Sequence, residues 1–337
     1  MLKNLPEMNN HINMYKLADS SKVINGENQT VIEEIILLGF HALHGFKIIC
    51  FLLFFMLYIV TLTGNMTITA LVSVSSNLRH PMFFFLGHLS ATDIILTTNI
   101  VPNMLGTILR ERVSMSLAAC IVQLQFFGIS VGTECLLLTV MSYDRYLAIC
   151  NPLHYNTIMN FKHCVYLVVS CWLLGILTSL VTVILVSRLH FCGPNVIDHF
   201  FCDLAPLLQL SCSDTSIVQL ENILLATPLT LFPAIIITAT YIAIFIAILK
   251  IPSTSGRQKT FSTCSSHLAV VTSFYGTLVT LYVIPANGQS LNANKVLSLL
   301  YTVVTPLFNP IIYSLRNKEI RVAFNKYVYS RKRLKMM

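Results

Sequence analysis

Charged residues are scarce in this chain, making up 11% of 337 residues against 55% hydrophobic. A soluble protein of this length needs a far more polar surface, so the shortage excludes that class and leaves an integral membrane protein. The first 45 positions are polar and lack an apolar core of about 7–15 residues. A cleaved secretory leader is therefore not expected, and the first membrane span is expected to serve as its own insertion signal. No folded basic domain with interleaved aromatics is present, so the net charge of +8 does not point to nucleic acid. No repeat relates the two halves, and the number of spans is odd, both of which count against a secondary transporter. Asp93 and Glu134 imitate a carboxylate dyad, but nothing beside them positions a scissile bond. An intramembrane enzyme is not expected.

What is present is a series of apolar runs, at 48–74, 81–105, 117–150, 163–186, 217–249, 261–285 and 293–315. Each exceeds the roughly 20 residues that cross about 30 Å of hydrocarbon. Their continuity argues for helices rather than the alternating strands of a barrel. An odd number of spans leaves the termini on opposite faces, and Lys and Arg decide which is which. With the N-terminus outside, 14 of the 22 basic residues lie inside and ten of the 14 acidic residues lie outside. The chain thus reads as an extracellular tail (1–46), a seven-span domain (47–316) and a cytoplasmic segment (317–337). That last segment is expected to be a short amphipathic helix followed by a basic run suited to anionic membrane lipid. Asn28-Gln-Thr30 is a glycosylation sequon in the tail, whereas Asn65-Met-Thr67 lies inside an apolar run and is not expected to be used.

The third run ends in Met141-Ser-Tyr-Asp-Arg-Tyr-Leu-Ala-Ile-Cys150. Charges such as Asp144 and Arg145 at the foot of a span face a bundle interior or a watery cavity, because hydrocarbon does not solvate them. Above them Phe127, Val131, Glu134, Leu138, Met141 and Arg145 recur at steps of three or four and share one helix face. Asp93 and Glu134 stand roughly 18 Å and 16 Å above the inner ends of their helices. Asn65 and Asn309 fall at comparable depths. This polar layer suits either water or a cation such as sodium, acting as an allosteric modulator, or a hydrogen-bonded packing cluster with no ion; both readings stand. The outer halves of the spans hold no deep ionisable residue, with Glu221 and Lys295 expected at the rim. Such a pocket suits a small, mostly neutral organic molecule. Its candidate lining is Phe127, Gly128, Val131, Leu225, Leu278, Tyr282 and Thr302.

The marker stretches are Gly64-Asn65, Pro81-Met82, Leu89-Ser-Ala-Thr-Asp93, the decapeptide at 141–150, Trp172, Lys259-Thr-Phe-Ser-Thr-Cys-Ser-Ser-His267, Phe274-Tyr-Gly276 and Asn309-Pro-Ile-Ile-Tyr-Ser-Leu-Arg-Asn317. Taken together, residues 28–317 resemble the olfactory receptors among rhodopsin-like G-protein-coupled receptors. Arg79-His80, Phe83, His88 and Pro233 depart from the usual pattern and warn against naming a ligand by analogy. The tail is longer than is usual for the family, with Met8 and Met14 as alternative starts.

The resemblance implies an all-α, seven-transmembrane receptor of the plasma membrane that takes a small volatile organic ligand. It further implies activation of a stimulatory, olfactory-type heterotrimeric G protein and a rise in cAMP, with no cofactor beyond the candidate sodium. The moving parts it assigns are Asp144, Arg145, Tyr146, Tyr241, Lys259, Tyr275, Asn309, Pro310 and Tyr313. Arg145 would be freed as the sixth span swings outward, with Lys259 at the opening. Cys120, Cys192, Cys202 and Cys212 face the oxidising side, and their spacing leaves three pairings open. The resemblance implies Cys120–Cys202 and Cys192–Cys212. A chemosensor of another tissue on the same scaffold is the alternative.

Overall fold

Lipid offers no partner to a free peptide group, so long apolar runs close their backbone hydrogen bonds internally as helices. A computed structural model describes residues 32–40, 45–192, 194–283 and 291–335. Asn28 lies outside these residues. The helices are α1 (Lys47–Val74), α2 (Pro81–Arg110), α3 (Leu117–Cys150), α4 (Phe161–Val186), α5 (Ser216–Leu249), α6 (Thr254–Val283), α7 (291–316) and α8 (Lys318–Lys335). Among the described residues, α1 to α5 and the Lys295–Tyr313 part of α7 are long and apolar enough to cross a membrane. The 30-residue α6, richer in Ser and Thr, packs against α3, α5 and α7 and completes a bundle of seven.

Local chemistry sets the ends. Pro81 opens α2, where its fixed φ suits the first turn and its missing N–H is not needed. Glu111 closes α2 in the left-handed region at φ 64°, turning the chain directly into a strand. Ser116 and Asn160 cap α3 and α4, accepting from the backbone N–H of Ala119 (3.1 Å) and His163 (3.0 Å). Within α5 and α7 a π turn interrupts the helix, at Asn222–Ala226 and Leu300–Val304.

The third and fourth helices meet along small residues. A Cβ on Gly175 would stand 2.5 Å from Thr133 Oγ1, and one on Gly128 would stand 2.5 Å from Ser179 Oγ. Close backbone approach of this kind is how helices associate in lipid, where no hydrophobic force drives them together.

Several boundaries differ from those expected of the apolar runs. The sixth helix begins at Thr254, about two turns before its apolar stretch, because a polar helix end projecting into water needs no hydropathy. The second runs on to Arg110, with Thr107 and Ile108 of its last turns buried. The eighth continues through the basic run to Lys335 instead of stopping short of it. The N-terminal segment is not merely a tail. Strand β1 (Glu34–Leu38) is the centre of a three-stranded sheet, antiparallel to β2 (Arg112–Ser116) and parallel to β3 (Val196–Ile197). Ile35 and Leu37 alternate inward from β1 and are fully buried.

Replacing Gly175 by valine should force α3 and α4 apart at an overpacking cost of about 1–3 kcal/mol. Thermal unfolding of the purified chain in detergent checks this, and an unchanged midpoint would contradict the close seam.

Candidate functional site

The outer end is closed by covalent and aromatic contacts. Cys120–Cys202 ties the top of α3 to the loop before α5, and Cys192–Cys212 closes that loop on itself. Gln123 reinforces the first link, accepting from the Cys202 N–H at 2.8 Å and donating to the Asn99 carbonyl at 2.8 Å. Asn99 returns a bond to the Gln123 carbonyl at 2.9 Å. Drawn down in this way, Phe200 and Phe201 are buried inside the bundle. Phe201 lies 5.3 Å from Phe127, which in turn lies 5.8 Å from Tyr301. Phe200 stacks on Phe40 at 5.6 Å, and Leu96, Ile100 and Met104 complete the cluster.

Lys295 and His199 sit above these rings. Lys295, only 4% exposed, donates from Nζ to Asp198 Oδ1 (2.5 Å) and to the Gly39 carbonyl (3.0 Å), joining α7 to the loop and to the segment after β1. The His199 ring is 4.6 Å from both phenylalanines, and its buried Nδ1 has no hydrogen-bond partner. Burial, aided by the nearby Lys295 cation, pushes its pKa from 6.5 down to about 3. The imidazole is therefore neutral.

Midway down lies the polar layer. Pro310 has no N–H to offer the Pro306 carbonyl one turn earlier. Asn65 supplies the donor instead, from Nδ2 at 3.0 Å, and a Cβ on the neighbouring Gly64 would stand 3.0 Å from the Pro310 ring. Asn309 donates to Asp93 Oδ2 at 2.8 Å and also interacts with Glu134. Asn65 Oδ1, Asp93 Oδ1, Glu134 Oε1 and Asn309 Oδ1 are buried without partners. An all-oxygen donor set fits a hard cation rather than a transition metal. Among the described residues no cluster of three or more His, Cys, Asp or Glu could hold a metal.

At the inner end, Arg145 donates from Nε (3.0 Å) and Nη2 (2.5 Å) to Asp144 Oδ2. Tyr155, on a one-turn helix at Tyr155–Ile158, donates to Asp144 Oδ1 at 2.7 Å. His80 stacks on Tyr155 with ring centroids 5.5 Å apart. Burial and the adjacent Asp144 raise the Tyr155 pKa, keeping the phenol a donor. Burial also lowers the His80 pKa, which Asp144 partly opposes. Across the bundle, the Tyr241 hydroxyl meets His267 Nδ1 at 2.6 Å. The Tyr275 hydroxyl lies against Cys135 and Thr139, and that of Tyr313 is buried with no partner.

The structure brings together Asp93, Glu134 and Asn309, with Asn65 joined to the same stretch of α7 through the Pro306 carbonyl, and separately Asp144 and Arg145. Tyr146 and Tyr241 both pack against the inner cluster of Ile244, Ile248 and Cys264. Phe127 and Val131 share the outer aromatic cluster, and Thr302 is buried nearby, its hydroxyl donating to the Ser298 carbonyl at 2.6 Å. Leu278 belongs instead to the inner core with Phe274.

Other pocket assignments need correction. Leu225 is 44% exposed on the π turn of α5 and faces outward, because the wider turn shifts the phase of the helix. Gly128 is spent on the approach of α4. Glu221 and Lys295 are not open rim charges: Glu221 is 7% exposed and accepts from the Thr182 hydroxyl at 3.0 Å. The side chains of Tyr282 and Lys259 lie outside the described residues. Sequence reasoning missed Phe201, His199, Tyr301 and Tyr155. A phenylalanine pair beside a cysteine anchored to α3 was a usable signal for the first of these, since it must be pulled toward the bundle.

A sequence model described as olfactory receptor matches residues 54–331. Mouse olfactory receptor 5P60 is 44% identical over 308 residues, covering 90% of this chain and 95% of its own. Human olfactory receptor 5G3 is 44% identical over 306 residues, covering 91% and 98% respectively. Among solved structures, squid rhodopsin superposes with a TM-score of 0.64 at 17% identity, over 80% of this chain and 82% of that one, a likeness of fold alone.

The shifted His199 sets a pH dependence. Its folded pKa lies below its unfolded value, so the neutral ring's stabilisation is complete above pH 6.5 and is lost as pH falls toward about 3. The thermal midpoint of the purified chain should fall across that window, and His199→Gln should flatten the fall. An equal slope in the variant would count against a buried neutral imidazole.

Proposed function

The chain belongs to the olfactory receptor family, and on that premise we propose that it binds a small, mostly neutral volatile organic molecule and activates a stimulatory, olfactory-type heterotrimeric G protein, raising cAMP. The observation that carries the coupling half is the Asp144–Arg145 pair, held by Tyr155 at the inner foot of α3 with Arg145 only 12% exposed. A guanidinium neutralised and covered in this way is unavailable to a partner. It becomes available only if the inner ends of the helices separate.

The buried, unpartnered hydroxyl of Tyr313 supports a second arrangement. It costs about 1–3 kcal/mol where it stands, a cost that another packing of α7 relieves. A ligand that binds the second arrangement better shifts the population toward it. For the ligand half, the aromatic cluster of Phe127, Phe201 and Tyr301 favours an apolar guest, and Lys295 is already matched by Asp198. A panel of odorants applied to cells expressing the chain with such a G protein tests this reading through cAMP.

Arg145→Ala should reach the cell surface yet give no agonist-dependent cAMP, and a retained response would refute its assigned role. For the polar layer we favour a sodium ion over an ion-free cluster, because four unpartnered oxygens there lack donors. Asp93→Asn combined with Glu134→Gln should abolish sodium sensitivity of signalling. Equal sodium dependence in wild type and variant would leave the ion-free cluster.

A further inference from the structure

A cavity of about 500 Å³ opens at the cytoplasmic ends of α1, α2 and α4, beside the turn that carries Tyr155. Its walls are apolar, formed by Val72, Leu78, Phe84, Met159 and Phe161, and Arg79 is the one charged residue that lines it. Arg79 is exposed and makes no ion pair among the described residues. Lys162, which follows Phe161 in the first turn of α4, is likewise exposed and unpaired.

Both α2 and α4 begin here, and the residue before Pro81 gives α2 no side-chain cap. Their N-terminal ends add positive potential to that of the two side chains. Phe161 is 72% exposed, an aromatic ring at the depth where spans meet headgroups. No acidic residue lines the cavity.

We propose that this cavity binds one anionic phospholipid of the cytoplasmic leaflet. Its acyl chain lies against Val72, Phe84 and Phe161, and its phosphate meets Arg79 and Lys162. A neutral lipid or a sterol leaves two cations unmatched, and a soluble anion leaves the apolar walls uncovered. Basic pockets between membrane helices on the cytoplasmic side are suited to such headgroups, and the volume lies within the range of small-molecule sites.

The site also bears on the inner switch. Met159 donates its N–H to the Tyr155 carbonyl at 2.8 Å, so one wall of the cavity is the turn that presents Tyr155 to Asp144. Arg79 directly precedes His80, which stacks on the same tyrosine. A bound lipid braces that turn and favours the state in which Asp144 and Arg145 remain paired.

The test uses the full chain in phosphatidylcholine nanodiscs doped with phosphatidylserine bearing a photoreactive acyl chain, with no agonist or G protein added. Crosslinks should map by mass spectrometry to 72–84 and 159–164. Unlabelled phosphatidylserine should compete, whereas added phosphatidylcholine, cholesterol and inorganic phosphate should not. In Arg79→Gln with Lys162→Gln, crosslinking should fall about 30-fold, which is about 2 kcal/mol for two basic side chains at a membrane surface. Unchanged labelling in a variant of normal thermal midpoint would overturn the proposal. So would equal competition by phosphatidylcholine, cholesterol or phosphate on the wild-type chain, a measurement that needs no variant to fold.

Discussion

Pro310 has no backbone N–H, and much of the bundle is arranged around that missing donor. In water the orphaned Pro306 carbonyl would be solvated, but at this depth it must find a protein partner or cost about 1–3 kcal/mol. Asn65 provides the partner, and Gly64 lets the Pro310 ring come close enough for it to do so. Once α1 and α7 are joined at that level, Asn309 is set opposite Asp93, and through it α7 is linked to α2 and α3. The first three spans and the last are thus registered by one proline and two asparagine amides.

The two ends of the bundle are held by different means. The outer end has disulfides, a reciprocal Gln123–Asn99 pair, a clamped Lys295 and a wedge of phenylalanines. Among the described residues the inner end has one ion pair, a tyrosine bracing it, and the unpartnered hydroxyl of Tyr313. Bonds of the first kind resist rearrangement. The second kind can be exchanged for others at small net cost, which is what a switch requires. The asymmetry fits a receptor that receives its signal at a fixed end and expresses it at a movable one.

The architecture was legible in the sequence because the bilayer selects for it directly: a run of apolar residues reports a span whatever its neighbours do. The face of α3 was legible too, since Phe127 to Arg145 follow an uninterrupted helical period. Legibility failed where that period breaks. Leu225 falls in the π turn of α5, where counting by 3.6 no longer says which way a side chain points. Burial of Lys295 was invisible because it depends on the extracellular loop and the segment after β1 folding over it, and that of Glu221 because it depends on the approach of α4. Gly128 read as pocket space, yet only the position of α4 reveals it as a contact. Strand β1 was missed because its five residues pair with segments about 80 and 160 positions away, beyond any local pattern.

That strand has a consequence for biosynthesis. As the middle of its sheet, β1 needs both edges, and the second edge, β3, follows four spans and the first part of a loop. The part of the chain translated first is therefore among the last to be completed. During synthesis it waits on the lumenal side with Ile35 and Leu37 exposed. The sheet therefore closes only once the loop before α5 has been made and β3 has taken its place beside β1.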